Sequence, residues 1–132
     1  GTFRQAALPA VAANVTLVAG YFDTSLPPFI AQHGQDALAL VHIDCDLYTS
    51  TADVLAALRP LIKPGTLILF DEYFNFPGWR GHEFRAWQEF CAAHDIRYAY
   101  LGFTERGRQV LLRIDHLHST DERPGAAVDR SP

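Results

Sequence analysis

The stretch "ALALVHIDCDLYTST" occupies Ala37–Thr51. Its first half, Ala37 to Ile43, is a near-continuous apolar run. Such runs mark strands covered on both faces, as in parallel sheets. The run then ends on two carboxylates, Asp44 and Asp46, with only Cys45 between them. A second stretch, "GTLILFDEYFN" (Gly65–Asn75), repeats the pattern: Thr66–Phe70 reads as a buried strand and Asp71-Glu72 as its tip. Between the two lies "STADVLAALRPLI", where Val54, Leu55, Leu58, Leu61 and Ile62 share one face of a helix. Thr49, Ser50 or Thr51 is expected to cap it, and Pro60 to kink or end it. A strand, a helix and a strand in that order make consecutive parallel neighbours, ~4.8 Å apart. The acids would then meet at one rim, at the C-terminal ends of the strands, where ligands of open α/β sheets bind.

Outward from this centre the pattern continues. "VTLVAG" (Val15–Gly20) reads as a strand, and "TSLPPFIAQHG" (Thr24–Gly34) as a short helix with Ser25 as a cap. "NFPGW" (Asn75–Trp79) is a loop of turn formers. "HEFRAWQEFCAAH" (His82–His94) is an amphipathic helix, with Phe84, Trp87 and Cys91 in one row and Ala86 and Phe90 beside it. "IRYAYLGF" and "QVLLRI" are strands around "TERGR", a link short enough for an antiparallel hairpin. The predicted order is β-α-β-α-β-α-β-β: an α/β fold, mostly parallel, with one antiparallel strand at the end. Residues 1–114 form the domain, and the polar stretch 115–132 reads as a flexible tail.

Bulk properties narrow the function. The 132 residues fit one globular domain, at 48% apolar and 20% charged. A net charge of −4 leaves no basic surplus for phosphate contacts, so a nucleic-acid partner is not expected. No apolar run approaches the ~20 residues of a membrane helix, and no leader is visible. Cys45 and Cys91 fit neither a zinc motif nor a disulfide framework; they read as reduced thiols of a cytoplasmic protein. The absence of methionine and the opening Gly-Thr-Phe are expected of a fragment or processed chain.

Crowded carboxylates repel, so either protons or a cation must compensate. Hard oxygen donors suit Mg²⁺, Mn²⁺ or Ca²⁺, and a bound cation can lower the pKa of a substrate hydroxyl while a spare carboxylate takes its proton. Taken singly, Asp44 reads as a structural cap at the strand end, Asp46 has helix capping as a rival role, and one of Asp71 and Glu72 reads as a solvated loop acid. Tyr48, Tyr73, Phe74, Phe76 and Trp79 are candidates either for a substrate pocket or for loop packing. His42 reads as a hydrogen-bonded core residue, His82 as the opening of a helix, and His33, His94, His116 and His118 as surface positions.

The string "VHIDCDLYTSTADVLAALRPLIKPGTLILFDEYFNFPGW" resembles the macrocin O-methyltransferase type of class I S-adenosylmethionine-dependent methyltransferases. There a D-x-D-x-Y-x-x-T segment ends the fourth strand, and an acidic pair followed by Tyr ends the fifth. "VTLVAGYFDTSLP" resembles the family's third strand and its exit, and the last two strands resemble its closing antiparallel pair. The resemblance covers residues 14–114 and implies a Rossmann-like sheet lacking its first two strands and their glycine-rich turn. It also implies methyl transfer from S-adenosyl-L-methionine to a hydroxyl of a small molecule, a sugar or natural product. By the same resemblance Asp44, Asp71 and Glu72 would hold Mg²⁺ and Asp46 would be the base. Gly20, Tyr21, Phe22 and Asp44 would meet the cofactor; Tyr48, Tyr73 and Trp79 are the substrate candidates. The family's usual Asp-Asp is Asp71-Glu72 here, one methylene longer on the second side chain. Other readings stand beside this one: a non-catalytic remnant or partner-dependent fragment, a homo-oligomer through an open sheet edge, a D-x-D that binds a nucleotide-sugar through Mn²⁺, and a phosphatase of the haloacid dehalogenase type. In that last family a Thr or Val stands where this chain has Tyr48.

Overall fold

The structure, a computed structural model, describes residues 8–34 and 36–117. The expected tail from 118 onward, His118 included, lies outside them. Along the chain run α1 (Phe22–His33), β1 (Leu40–Ile43), α2 (Tyr48–Leu58), β2 (Leu67–Phe70), a 3-10 turn (Trp79–Gly81), α3 (Glu83–His94), β3 (Arg97–Phe103) and β4 (Val110–His116). The sheet order is β1-β2-β4-β3. β1 and β2 pair in parallel, while β4 is antiparallel to both β2 and β3. Three strands therefore point one way and only the last in sequence is reversed, as the order of elements predicted.

Alternation along the strands builds the core. Ile43, Ile68, Phe70, Val110, Leu112 and Ile114 all turn to one face and are buried. Against it pack Val54, Leu55 and Leu58 of α2, then Ala86, Trp87, Phe90 and Cys91 of α3, with Leu26 and Ile30 of α1 at the margin. Trp87 is fully buried and stacks against Phe70, Phe90 and Tyr98. Its indole N–H meets no acceptor among the described residues. Trp87→Ala should therefore cost about 3–5 kcal/mol of stability. Trp87→Phe gives up no hydrogen bond and should cost less than about 1.5 kcal/mol. Thermal melts of the two variants check the contrast.

Several local expectations are corrected. Val15–Gly20 is not a strand: no neighbour among the described residues offers it a hydrogen-bond ladder, and Val15, Leu17 and Val18 stay exposed. Thr49, Ser50 and Thr51 do not cap α2, because the helix begins one residue before them, at Tyr48; the Thr51 hydroxyl instead donates back to the Leu47 carbonyl. Ser25 likewise lies inside α1, whose N-cap is Tyr21. His42 is not a core residue: it alternates onto the uncovered sheet face and its side chain is about half exposed. His94 is half-buried, with its ring against Phe90. The Pro60 expectation holds, since α2 stops at Leu58. β4 continues through Asp115 and His116, past the expected end of the domain.

Candidate active-site rim

Ile43 and Phe70, the last residues of β1 and β2, are direct partners in the parallel ladder. The ladder runs one bond further, as the Asp71 N–H donates to the Ile43 carbonyl at 2.9 Å. Asp44-Cys45-Asp46 and Asp71-Glu72 therefore leave the sheet side by side. The spatial expectation drawn from the sequence is met here: both acidic tips reach one corner.

What holds them together is a residue that the sequence reading passed over. Glu83, the first residue of α3, is fully buried. One carboxylate oxygen, Oε1, accepts the Cys45 N–H at 3.2 Å, and Oε2 accepts the Glu72 N–H at 3.1 Å. A single side chain thus ties both acidic loops to the start of one helix. Burial raises the Glu83 pKa above the ordinary carboxylate value; the two backbone N–H groups pull it back, and the charges of Asp44 and Glu72 add to the rise. A sequence signal did exist. Glu83, Ala86, Trp87 and Phe90 follow i, i+3, i+4, i+7, so an acid occupies a core position of an amphipathic helix.

Asp46 is exposed and sits at the centre of a tight turn, where Leu47 N–H donates to the Cys45 carbonyl at 2.6 Å. Its φ of 58° lies in the left-handed region. A non-glycine residue held there stores backbone strain, which accumulates at functional sites. His82, the residue before Glu83, fixes the turn from the other side, with Nδ1 3.1 Å from the Asp46 carbonyl. A carbonyl can only accept, so Nδ1 carries the proton. Cys45, between the two acids, has a thiol pushed up to about 11, chiefly by burial and then by Glu83. It stays protonated near neutrality and is no nucleophile.

The remaining candidates are placed as follows. Asp71 Oδ1 accepts from Gln109 Nε2 at 3.2 Å and lies 3.6 Å from His42 Nε2. Glu72 is held by an ion pair with Arg108, 2.5 Å away on the loop before β4. Tyr48 belongs to a different patch: its hydroxyl donates to Glu89 and Arg85 lies over its ring. Tyr73 is buried beneath the rim, its hydroxyl 2.6 Å from that of Tyr100, and burial drives its pKa far above the usual phenol value. Trp79 packs edge-on to Phe84. Gly20, Tyr21 and Phe22 lead into α1, with Gly20 at φ 142°. Among the described residues they make no hydrogen bond or ring contact to the acidic rim.

The donor set does not fit the Mg²⁺ site that the resemblance implies. No three His, Cys, Asp or Glu side chains converge as cation ligands among the described residues. Glu72 faces Arg108, and Asp71 faces Gln109 and His42. A divalent ion would have to displace a guanidinium. Millimolar Mg²⁺ is accordingly expected to leave the melting temperature of this chain unchanged. A rise of several degrees, the mark of a ligand that binds only the folded state, would overturn that reading.

The fold and the rim define a class: a methyltransferase-type α/β sheet with its acidic corner at the ends of two parallel strands. A model of the macrocin-O-methyltransferase (TylF) family matches residues 2–101, and the chain belongs to that family. The curated 8-demethyl-8-(2,3-dimethoxy-alpha-L-rhamnosyl)-tetracenomycin-C 4'-O-methyltransferase of Streptomyces olivaceus is 39% identical over 60 residues, which are 46% of this chain and 22% of that enzyme. Among solved structures, apo CalS11, a TDP-rhamnose 3'-O-methyltransferase of calicheamicin biosynthesis, matches at TM-score 0.57 and 32% identity over 73% of this chain. The O-methyltransferase NovP matches at TM-score 0.58 and 27% identity over 75%. The matches span 40% and 37% of those two chains. The family and these relatives are O-methyltransferases. Among the described residues no helix is long and apolar enough to cross a membrane.

Proposed function

We propose that this chain carries the acceptor-activating corner of an S-adenosylmethionine-dependent O-methyltransferase. The acceptor is a hydroxyl of a sugar or a sugar-bearing natural product, the chemistry named for its relatives. One observation carries the reading: two parallel strand ends bring Asp44, Asp46, Asp71 and Glu72 to one corner, and the buried Glu83 bridges the two loops.

When bound, S-adenosylmethionine supplies an electrophilic methyl group on a cationic sulfonium. An acidic rim suits such a cation, and the exposed Asp44 and the chain from Gly20 to Phe22 are the residues assigned to hold it. Asp46 receives the proton of the acceptor hydroxyl as the oxygen becomes a nucleophile. Like Asp44 it is exposed with no side chain of the described residues bonded to its carboxylate, whereas Asp71 and Glu72 are engaged by Gln109 and Arg108; Asp44 is given to the donor, which leaves Asp46 for the proton. The backbone turn and His82 fix its position. Methyl transfer is an in-line displacement, so alignment of the two reactants accounts for much of the rate.

The phosphatase reading gains no support from the family match. Calorimetry of the chain with S-adenosylmethionine and S-adenosylhomocysteine tests the proposal. Micromolar binding is the expected result, and no binding at millimolar ligand would remove the donor site from this chain and favour the non-catalytic or partner-dependent alternative.

A further inference from the structure

The acidic corner carries a counter-charge of its own, delivered by the link between β3 and β4. Three consecutive residues of that link bond to the chain leaving β2. Gln109 Nε2 donates to Asp71 Oδ1 at 3.2 Å. Arg108 Nη1 donates to Glu72, and the Arg108 carbonyl accepts the Tyr73 N–H at 3.0 Å. The Gly107 carbonyl accepts Asn75 Nδ2 at 3.1 Å. The link is also closed on itself: the Thr104 N–H donates to the Gln109 carbonyl at 3.1 Å, and the two side chains bond at 2.7 Å. A Cβ at Gly107 would strike the Thr104 hydroxyl, so a glycine is what lets this turn close. The guanidinium is therefore placed by the fold, with the Phe76 ring 5.0 Å away as its platform.

Glu83 joins this side of the corner to the other, since its two oxygens hold the Cys45 and Glu72 N–H groups. Asp46 follows Cys45, so the proposed base and Arg108 stand on two segments tied by one carboxylate. Asp44, Asp46, Asp71 and Glu72 crowd together there, and such crowding calls for protons or a cation. Arg80 and Arg85 are engaged elsewhere, over the Trp79 ring and on Glu89. Arg108 also keeps donors to spare. A guanidinium has five N–H groups and is always charged; Glu72 takes one of them, and the side chain is 47% exposed.

We propose that Arg108 is the resident cation of this corner and a further catalytic residue, standing where the family resemblance puts a divalent ion. The inference rests on the hydroxyl-acceptor reading and adds to it the group that stabilises the acceptor oxygen. As the acceptor O–H bond breaks, its proton passes to Asp46. The oxygen's electron pair forms the new O–CH₃ bond, and the donor's C–S bond breaks with its electron pair left on sulfur. Negative charge grows on the oxygen along the way, and a spare N–H of Arg108 receives it. A fixed cation in place costs no reorganisation at the moment of reaction.

Mn²⁺ alone, titrated by calorimetry into the 132-residue chain without donor or acceptor, tests the charge assignment. Wild type is expected to bind it only in the millimolar range or more weakly. Arg108→Gln leaves the carboxylates uncompensated and should bind Mn²⁺ about tenfold more tightly or better, because ligand charge sets the affinity of oxygen sites. Arg108→Lys keeps a positive charge and should behave as wild type. Adding Glu72→Gln to Arg108→Gln should abolish the gain. The variants should fold, since an ion pair this exposed contributes little stability. In turnover, wild type should be indifferent to excess EDTA. Arg108→Gln should lose about 10²–10³-fold in kcat, the usual effect of removing one oxyanion donor, and recover part of it with Mn²⁺. Micromolar Mn²⁺ binding by wild type would overturn the proposal. So would an Arg108→Gln chain that binds Mn²⁺ no more tightly than wild type, or one that turns over within twofold of it. Failure of S-adenosylmethionine to bind would sink the methyltransferase reading while leaving the Mn²⁺ affinities where they are.

Discussion

Glu83→Gln should lower the melting temperature by roughly 5–10 °C, the equivalent of about 1–2 kcal/mol in a domain of this size. The wild-type carboxylate accepts two backbone N–H groups, from Cys45 and Glu72. The two N–H groups reach different carboxylate oxygens, so an amide in the same pose meets one with its oxygen and turns its NH₂ toward the other, leaving buried donors unpaired. Glu83→Ala strands both donors and should cost about 2–4 kcal/mol. The pH dependence separates a bridging carboxylate from mere packing. The Glu83 pKa is raised in the fold, mainly by burial, so between its unfolded and folded values the native state binds more protons than the unfolded chain. Its stability contribution is complete below the unfolded value of ~4.3 and is lost as pH rises through the folded value. Wild type should therefore gain stability relative to Glu83→Gln on acidification through that window. Parallel melting curves across pH would show that Glu83 does not titrate there. Loss of the bridge should also loosen the two loops against each other and slow methyl transfer on the order of 10²-fold, the usual effect of a displacement near 1 Å.

Asp46→Asn should reduce methyl transfer by about 10²–10⁴-fold, the contribution typical of a positioned general base. Asparagine suits the test for a backbone reason as well as a chemical one. It tolerates the left-handed conformation that Asp46 adopts at φ 58°, so the turn persists and only the proton acceptor is lost. Asp46→Ala would mix chemistry with strain. Binding of S-adenosylhomocysteine should be unchanged in the Asn variant, because Asp46 takes no part in the donor site proposed above. Turnover within twofold of wild type, measured by transfer of a labelled methyl group, would take Asp46 out of the reaction.

The legibility of the site followed from the range of the interactions involved. The D-x-D and Asp-Glu tips could be found in the sequence because each lies directly after an apolar run, and strands consecutive in sequence neighbour each other roughly two-thirds of the time. Glu83 was harder to see. Its hydrogen bonds reach back 38 and 11 residues, and an acid at a helix start is ordinarily explained by the helix dipole. Tyr48 shows the converse: it lies near the acids in sequence, and the first turn of α2 carries it to Glu89 and Arg85. Glu72, read as a metal ligand, is met by Arg108 from a loop 36 residues away, which no local pattern announces.

By itself the sequence determined the elements that depend on near neighbours: both apolar strands with their acidic tips, the amphipathic faces of α2 and α3, the stop before Pro60, and the closing hairpin. Hydrophobic periodicity and backbone sterics act over a few residues, so a string of residue types records them. Only the tertiary structure decided what needs a distant partner. Val15–Gly20 found no ladder to join among the described residues, the two acidic loops were clamped by one buried carboxylate, and rings from four separate segments closed around a cavity. Hydrogen bonds and ring contacts of that kind exist only once the chain has brought remote residues within a few ångströms of one another.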